Sequence, residues 1–353
     1  MAFSRALVEG FYGRQWRWEQ RFSLPVLLRQ WGYSSYIYAP KGDASLRSLW
    51  TQPFTVTHTE NLLSLGRYCR KAGIKWGLGL SPVGLQTNYT TEDKANLDNK
   101  ITEIKRLNPD IIWVLFDDLP AGNPSLAQNQ AAVVNDIQAQ MPDIEIAMCP
   151  SYYSFDPILE ELFGQCPDGY FEALNTLMDQ RVDVLWTGNR VISEAYTADD
   201  CKKAAAVLGR KPLIWDNYPV NDGRKTSRFL HLLPFTGRSS EMASLTNGHA
   251  INPMNQFHLS MLVLPTLAAV YNDDKIYDVD RAFQSVLADL PDNLGDLMAR
   301  DAAIFQGVGL DGLSSDEKTE LLATYGQINH PAAREVCEWL QEAYRFDPAC
   351  LTD

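Results

Sequence analysis

Ile111-Ile112-Trp113-Val114-Leu115-Phe116-Asp117-Asp118 is the stretch on which the reading of this chain turns. Six consecutive apolar residues are too few for a typical helix and read as a strand buried on both faces. Two adjacent carboxylates cannot follow that strand into a dry interior without a large desolvation cost. They are expected at its mouth, within reach of water and substrate. Side chains alternate in direction along a strand, so neighbouring aspartates point to different places.

Working outward, strand-like and helical runs alternate. Strands are expected at Ala6-Leu7-Val8 and over 33–39, 75–80, 111–116, 144–148, 182–186, 213–215 and, most weakly, 249–251. Helices are expected over 18–31 (with Pro25 near its first turn), 57–72, 92–107, 123–141 and 255–271. Such alternation implies parallel strands with helical crossovers. Eight repeats favour an α/β fold of the closed (β/α)8 TIM-barrel type. An open doubly wound sheet is the alternative, although no GxGxxG follows the first strand. Polar residues gather just past the apolar runs: Glu9-Gly10, Lys41, Ser81-Pro82, Asp117-Asp118, Trp186-Thr187-Gly188, Asp216-Asn217 and Asn252. In a barrel these ends meet on one face, where active sites lie. Turns attract polar residues in any fold, but that explains Lys41 and the double aspartate poorly.

From about residue 275 the pattern is all-helical. Val279, Ala282, Phe283, Val286, Leu287 and Leu290 form one apolar stripe, and Val336, Leu340 and Tyr344 mark another. Ser314 and Glu317 have the spacing of a capping box. The expected organisation is a catalytic barrel over 1–274 and a small helical C-terminal region over 275–353.

The formal net charge of −13 argues against nucleic acid as a partner. Neither a signal peptide nor a membrane-spanning apolar stretch is evident, so a cytoplasmic protein without a membrane partner is expected. Cysteines at 69, 149, 166, 201, 337 and 350 form no CxxC pair. Histidines at 58, 231, 249, 258 and 330 show no HxH or HExxH spacing. Neither a metal site nor a cofactor is therefore expected. Paired carboxylates at a strand end suit cleavage of a glycosidic bond.

Val8-Glu9-Gly10-Phe11-Tyr12-Gly13-Arg14 resembles the opening signature of the glycoside hydrolase family 84 β-N-acetylglucosaminidases. Further matches follow in family order: Tyr38-Ala39-Pro40-Lys41, Phe116-Asp117-Asp118, Leu185-Trp186-Thr187-Gly188, Ile214-Trp215-Asp216-Asn217 with Asn221-Asp222, Gly237-Arg238-Ser239 and Asn252-Pro253. The resemblance covers about residues 6 to 271 and leaves the helical tail unmatched.

The resemblance implies a retaining exo-β-N-acetylglucosaminidase acting by substrate-assisted catalysis through an oxazoline, an exception to the usual two-carboxylate scheme. Asp117 would orient and polarise the substrate's 2-acetamido group. Asp118 would be the general acid and base. Two nearby carboxylates resist ionising together, which would help keep Asp118 protonated beside a charged Asp117. Tyr153 matches a tyrosine that contacts the acetamido group and the reactive intermediate. Asn217 matches a ligand near the acetamido end, and Asp222 one at the distal hydroxyls. Lys41 and Asn252 match hydroxyl ligands, and Gly10 matches a position where backbone meets sugar. Tyr12 and Trp215 are expected as pocket walls, Trp186 as core support and Cys149 as floor.

The implied substrate is an N-acetylglucosaminide, either a glycoprotein or a small cell-wall-derived glycoside. Two other classes stand beside it. One is a non-catalytic N-acetylglucosamine-binding or sensory protein on the same scaffold. The other is a metal-dependent barrel hydrolase with Asp117 and Asp118 as ligands, which lacks histidine partners at the strand ends.

Overall fold

Eight parallel strands close on themselves in the computed structural model, which describes residues 3–271 and 277–352. They are β1 (Ser4–Glu9), β2 (Ser35–Tyr38), β3 (Lys75–Leu80), β4 (Ile111–Leu115), β5 (Glu145–Cys149), β6 (Asp183–Trp186), β7 (Pro212–Asp216) and β8 (Gly248–Ile251), in sequence order around the barrel. β1 pairs with both β2 and β8, placing Leu7 opposite Tyr36 on one side and Ile251 on the other. Closure leaves this sheet no edge to protect. Every residue of β4 is buried, as its unbroken apolar run requires.

β3 shows how the shaft is filled. A Cβ on Gly79 would stand 2.4 Å from Cβ of Ala39 and 2.9 Å from Cδ1 of Leu115. The glycine therefore makes room for side chains of the flanking strands.

The crossovers carry α1 (Trp18–Gln30), α2 (Val56–Ala72), α3 (Thr91–Leu107), α4 (Leu126–Gln140), α5 (Ile158–Phe163), α6 (Tyr170–Leu177), α7 (Ala198–Leu208) and α8 (Met242–Leu245). The barrel region ends with α9 (Phe257–Ser260) and α10 (Leu264–Tyr271).

Two expectations are corrected here. Pro25 does not lie in the first turn of α1, because the helix already starts at Trp18. It is buried mid-helix beside Leu24 and Leu28, and that burial offsets the backbone bond the proline cannot make. The single helix expected over 255–271 is broken into α9 and α10. Pro265, the second residue of α10, has no N–H to continue the preceding turn and instead suits a helix start.

The C-terminal region forms α11 (Val279–Leu287), α12 (Asp292–Gly307), α13 (Gly309–Gly312), α14 (Ser315–Gly326) and α15 (Pro331–Leu340). The Ser314–Glu317 capping box is present at the start of α14. These helices share one hydrophobic core with the barrel. They are also tied to it by hydrogen bonds. The Leu230 N–H donates to the Phe305 carbonyl at 3.2 Å, and the Leu259 N–H to Glu335 Oε2 at 2.9 Å. The expected boundary between 274 and 275 lies outside the described residues.

Glu9 ends β1 and turns its side chain to α1. Its fully buried carboxylate pairs with Arg21 of α1 at 2.5 Å and accepts from the Tyr36 hydroxyl, also at 2.5 Å. Arg21→Met should cost about 3–5 kcal/mol, because it leaves a buried charge without its cation. Adding Glu9→Gln should recover much of that loss. Urea unfolding of the single and double variants checks this, and equal losses in both would show that the pair's charge is not what matters.

Candidate active site

β4 stops at Leu115, and the chain carries Asp117 and Asp118 to the barrel mouth. Asp118 turns into the left-handed region, with φ 58°, a conformation aspartate tolerates better than most residues. The two carboxyls thereby diverge. Asp117 Oδ2 is ion-paired with Lys41 Nζ from the end of β2. Asp117 Oδ1 is buried and has no hydrogen-bond partner among the described residues. Asp118 Oδ2 accepts from the Tyr12 hydroxyl at 2.9 Å, and its Oδ1 accepts from the Tyr153 hydroxyl at 2.8 Å. Burial, reinforced by the charge of Asp117, pushes the Asp118 carboxyl above its ordinary pKa. Lys41, Arg47 and the Tyr153 hydrogen bond oppose that rise.

One pocket gathers Gly10, Tyr12, Lys41, Asp117, Asp118, Tyr153, Trp215, Asn217, Asp222 and Asn252, with Cys149 also in its wall. All ten site residues expected from the sequence therefore meet in one place. Tyr153 faces the carboxylates, whereas its neighbour Tyr152 turns away to donate to the Gly164 carbonyl at 2.6 Å.

The base of the pocket is a linked set of an indole and two amides. Trp215 Nε1 donates to Asn217 Oδ1 at 2.9 Å, and Asn252 Nδ2 donates to the same oxygen at 3.1 Å. Asn252 Oδ1 accepts from the Gly10 N–H at 3.2 Å. A Cβ on Gly10 would come within 2.4 Å of Trp215 Cζ2, so the indole needs glycine there. Asp222 Oδ2 accepts from the Tyr12 N–H at 2.6 Å. Burial chiefly, with the charge of Asp118 adding, raises the Asp222 pKa to about 7.

Several wall residues were not anticipated. Val191, Ile192 and Val220 add apolar wall beside Thr187 of the strand-end motif. The loop carrying Val191 and Ile192 is pinned by Arg238, which donates to the carbonyls of Ser193 and Glu194 and pairs with Asp216 at 2.7 Å. That gives the Gly237-Arg238-Ser239 motif a structural place behind the pocket. Cys350 and Thr352 reach the pocket from the C-terminal segment.

Arg47 follows a short turn (Ala44–Leu46) capped by Asp43, and its Nη2 donates to the Tyr12 hydroxyl at 3.1 Å. Its Nη1 is buried without a hydrogen-bond partner among the described residues. Nothing local in the sequence marks Arg47, because its partners lie on β1 and β4 loops far along the chain.

Among the described residues, no group of three or more His, Cys, Asp or Glu side chains could hold a metal ion, and no helix is long and apolar enough to cross a membrane.

The family model described as beta-N-acetylglucosaminidase matches residues 5–303. Protein O-GlcNAcase of Rattus norvegicus is 28% identical over 351 residues, which covers 96% of this chain and 36% of that protein. The same holds for Protein O-GlcNAcase of Mus musculus, at 28% identity and the same coverage. The chain thus spans 36% of the length of these curated relatives. Among solved structures, a mutant of Thermobaculum terrenum O-GlcNAc hydrolase superposes with a TM-score of 0.79 at 26% identity, covering 97% of this chain and 81% of that one. With the match running through the whole barrel and every strand end that builds the pocket, this chain belongs to the β-N-acetylglucosaminidase family.

Proposed function

We propose that this protein hydrolyses terminal β-linked N-acetylglucosamine, with retention, through an oxazoline formed by the substrate's own acetamido oxygen. The observation that carries this reading is Asp117 Oδ1, a buried acceptor with no hydrogen-bond partner among the described residues, in the wall of the pocket beside a second carboxyl. An unmade buried hydrogen bond is costly. The acetamido N–H is a donor that would complete it and be polarised in return.

In this scheme Asp118 gives its proton to the departing oxygen and then takes one from the attacking water. Its raised pKa favours the first half and the Tyr12 and Tyr153 donors the second. Tyr153 steadies the acetamido group and the intermediate. Asn217 binds near the acetamido end. Lys41, Asp222, Asn252 and the Gly10 backbone hold the hydroxyls, and Tyr12 and Trp215 supply the walls. Lys41 would divide its donors between the substrate and Asp117.

Residues 1–274 would form the catalytic unit and 275–353 its helical support. The relatives' names, O-GlcNAcase and O-GlcNAc hydrolase, support an O-linked N-acetylglucosaminide as substrate. A small N-acetylglucosaminide handled by the same chemistry is the second reading.

Asp118→Asn should lower kcat/KM about 10²–10⁴-fold on alkyl glycosides, whose leaving groups need a proton. It should do much less on aryl glycosides with acidic leaving groups. Asp117→Asn should damage both. Steady-state kinetics on a leaving-group series checks this, and equal losses in Asp118→Asn across the series would remove its role as the acid.

Asp222 supplies a second test. Below about 7 its carboxyl becomes protonated and accepts sugar hydroxyl donors poorly. Affinity for an N-acetylglucosamine-like inhibitor should therefore weaken as pH falls through about 7. The dependence should survive in Asp118→Asn and vanish in Asp222→Asn. Calorimetric titration across that range gives the answer, and flat wild-type binding would show that no titration of Asp222 in that range controls sugar binding.

A further inference from the structure

We infer that Arg47 is a positioning residue for Asp118. Acting through Tyr12, it fixes the phenol hydrogen on Asp118 Oδ2 and so governs how that carboxyl is held and how readily it takes a proton. The inference rests on Asp118 being the acid and base only where it touches the reaction; the coupling itself is geometric.

A phenol has one hydrogen and an oxygen that also accepts. The Tyr12 oxygen accepts from Arg47 Nη2 at 3.1 Å, which leaves its hydrogen for Asp118 Oδ2 at 2.9 Å. The guanidinium carbon stands 5.6 Å from the centre of the Tyr12 ring, so the cation also faces the aromatic surface. The Tyr12 backbone is anchored as well, because its N–H donates to Asp222 Oδ2. Arg47 is also held in place. Asp43, at the foot of its turn, accepts from the Ser45 N–H and from the Tyr38 hydroxyl, each at 3.0 Å. A planar guanidinium can donate to the phenol oxygen while facing the ring, which a lysine point charge cannot reproduce.

The charges around Asp118 fix the sign. Lys41 and Arg47, both after β2, favour its ionised form, and Asp117 disfavours it. Asp222 after β7 and the Cys149 thiol of β5 also feel its charge, while Asp347 of the C-terminal segment faces Arg47. Removing Arg47 deletes one of two opposing cations, so Asp118 should hold its proton to higher pH. The step that needs the protonated acid then persists further into alkaline solution, and the step that needs the base slows.

The test is a ¹³C-carboxyl NMR titration of the ligand-free protein, with the Asp118 signal assigned by its loss in Asp118→Asn. Arg47→Met should raise the Asp118 midpoint by about one pH unit. Arg47→Lys should restore only part of the shift. Tyr12→Phe should raise the midpoint with Arg47 still in place, and adding Arg47→Met should then do less than it does alone. An unmoved midpoint in a folded Arg47→Met, or full additivity with Tyr12→Phe, overturns the inference whatever the kinetics do. Should Arg47→Met fail to fold, the Tyr12→Phe midpoint decides, and no change there overturns it equally.

The alkaline limb of kcat/KM should move with the NMR midpoint. A shifted midpoint with an unmoved limb would instead remove the acid role of Asp118 and leave the coupling to Arg47 standing.

Discussion

The ion pair between Lys41 and Asp117 is the constraint around which the site is built. The two residues are 76 positions apart in sequence and meet only because β2 and β4 end on the same face of a closed barrel. Both are almost wholly buried. Burying two charges costs several kcal/mol per ion and is offset only where geometry is good and remaining polar atoms find partners. Here one atom, Asp117 Oδ1, finds none among the described residues. An incomplete hydrogen-bond inventory in so dry a place is poor design for stability alone. It suits a site held ready for a donor that arrives with the substrate.

The neighbouring carboxyl has the opposite surroundings. Among the described residues Asp118 has no ion pair but two phenol donors, one on each oxygen. Two identical side chains, adjacent in sequence, are thereby given different electrostatic surroundings by the residues around them. The left-handed turn at Asp118 makes this possible, since it sends the second carboxyl away from Lys41. Environments that push two acids apart are the general way one chain obtains an acid and a base.

Much of this was legible in the sequence, for a definite reason. Barrel strands are buried on both faces, so they appear as unbroken apolar runs, and the polar residues just past them mark the mouth. What that pattern does not reveal is which of two adjacent polar residues faces inward. Glu9 and Gly10 read alike, yet Glu9 turns to Arg21 while Gly10 meets Trp215. Asp216 and Asn217 divide the same way, with Asp216 buried against Arg238 and His249 and only Asn217 in the pocket. Pro25 and the break before Pro265 show packing and backbone chemistry overriding apolar periodicity. Arg47, Cys350 and Thr352 were invisible because nothing near them in sequence signals their partners. Their contacts exist only once the loops and the C-terminal segment converge.

Tyr12 shows why such residues resist a one-role description. Its N–H holds Asp222, its hydroxyl joins Arg47 to Asp118, and its ring faces the Lys41 ammonium at 6.0 Å. Only the backbone contact is independent of the side chain. Loss of the whole ring would therefore alter shape, charge and hydrogen bonding together, whereas loss of the hydroxyl alone separates the relay from the wall. The same logic extends to the pocket as a whole. Gly10, Trp215, Asn217 and Asn252 form one connected set, so a change at any member moves the rest. Binding and catalysis here belong to a connected network, whose parts are separated by deleting single atoms rather than whole side chains.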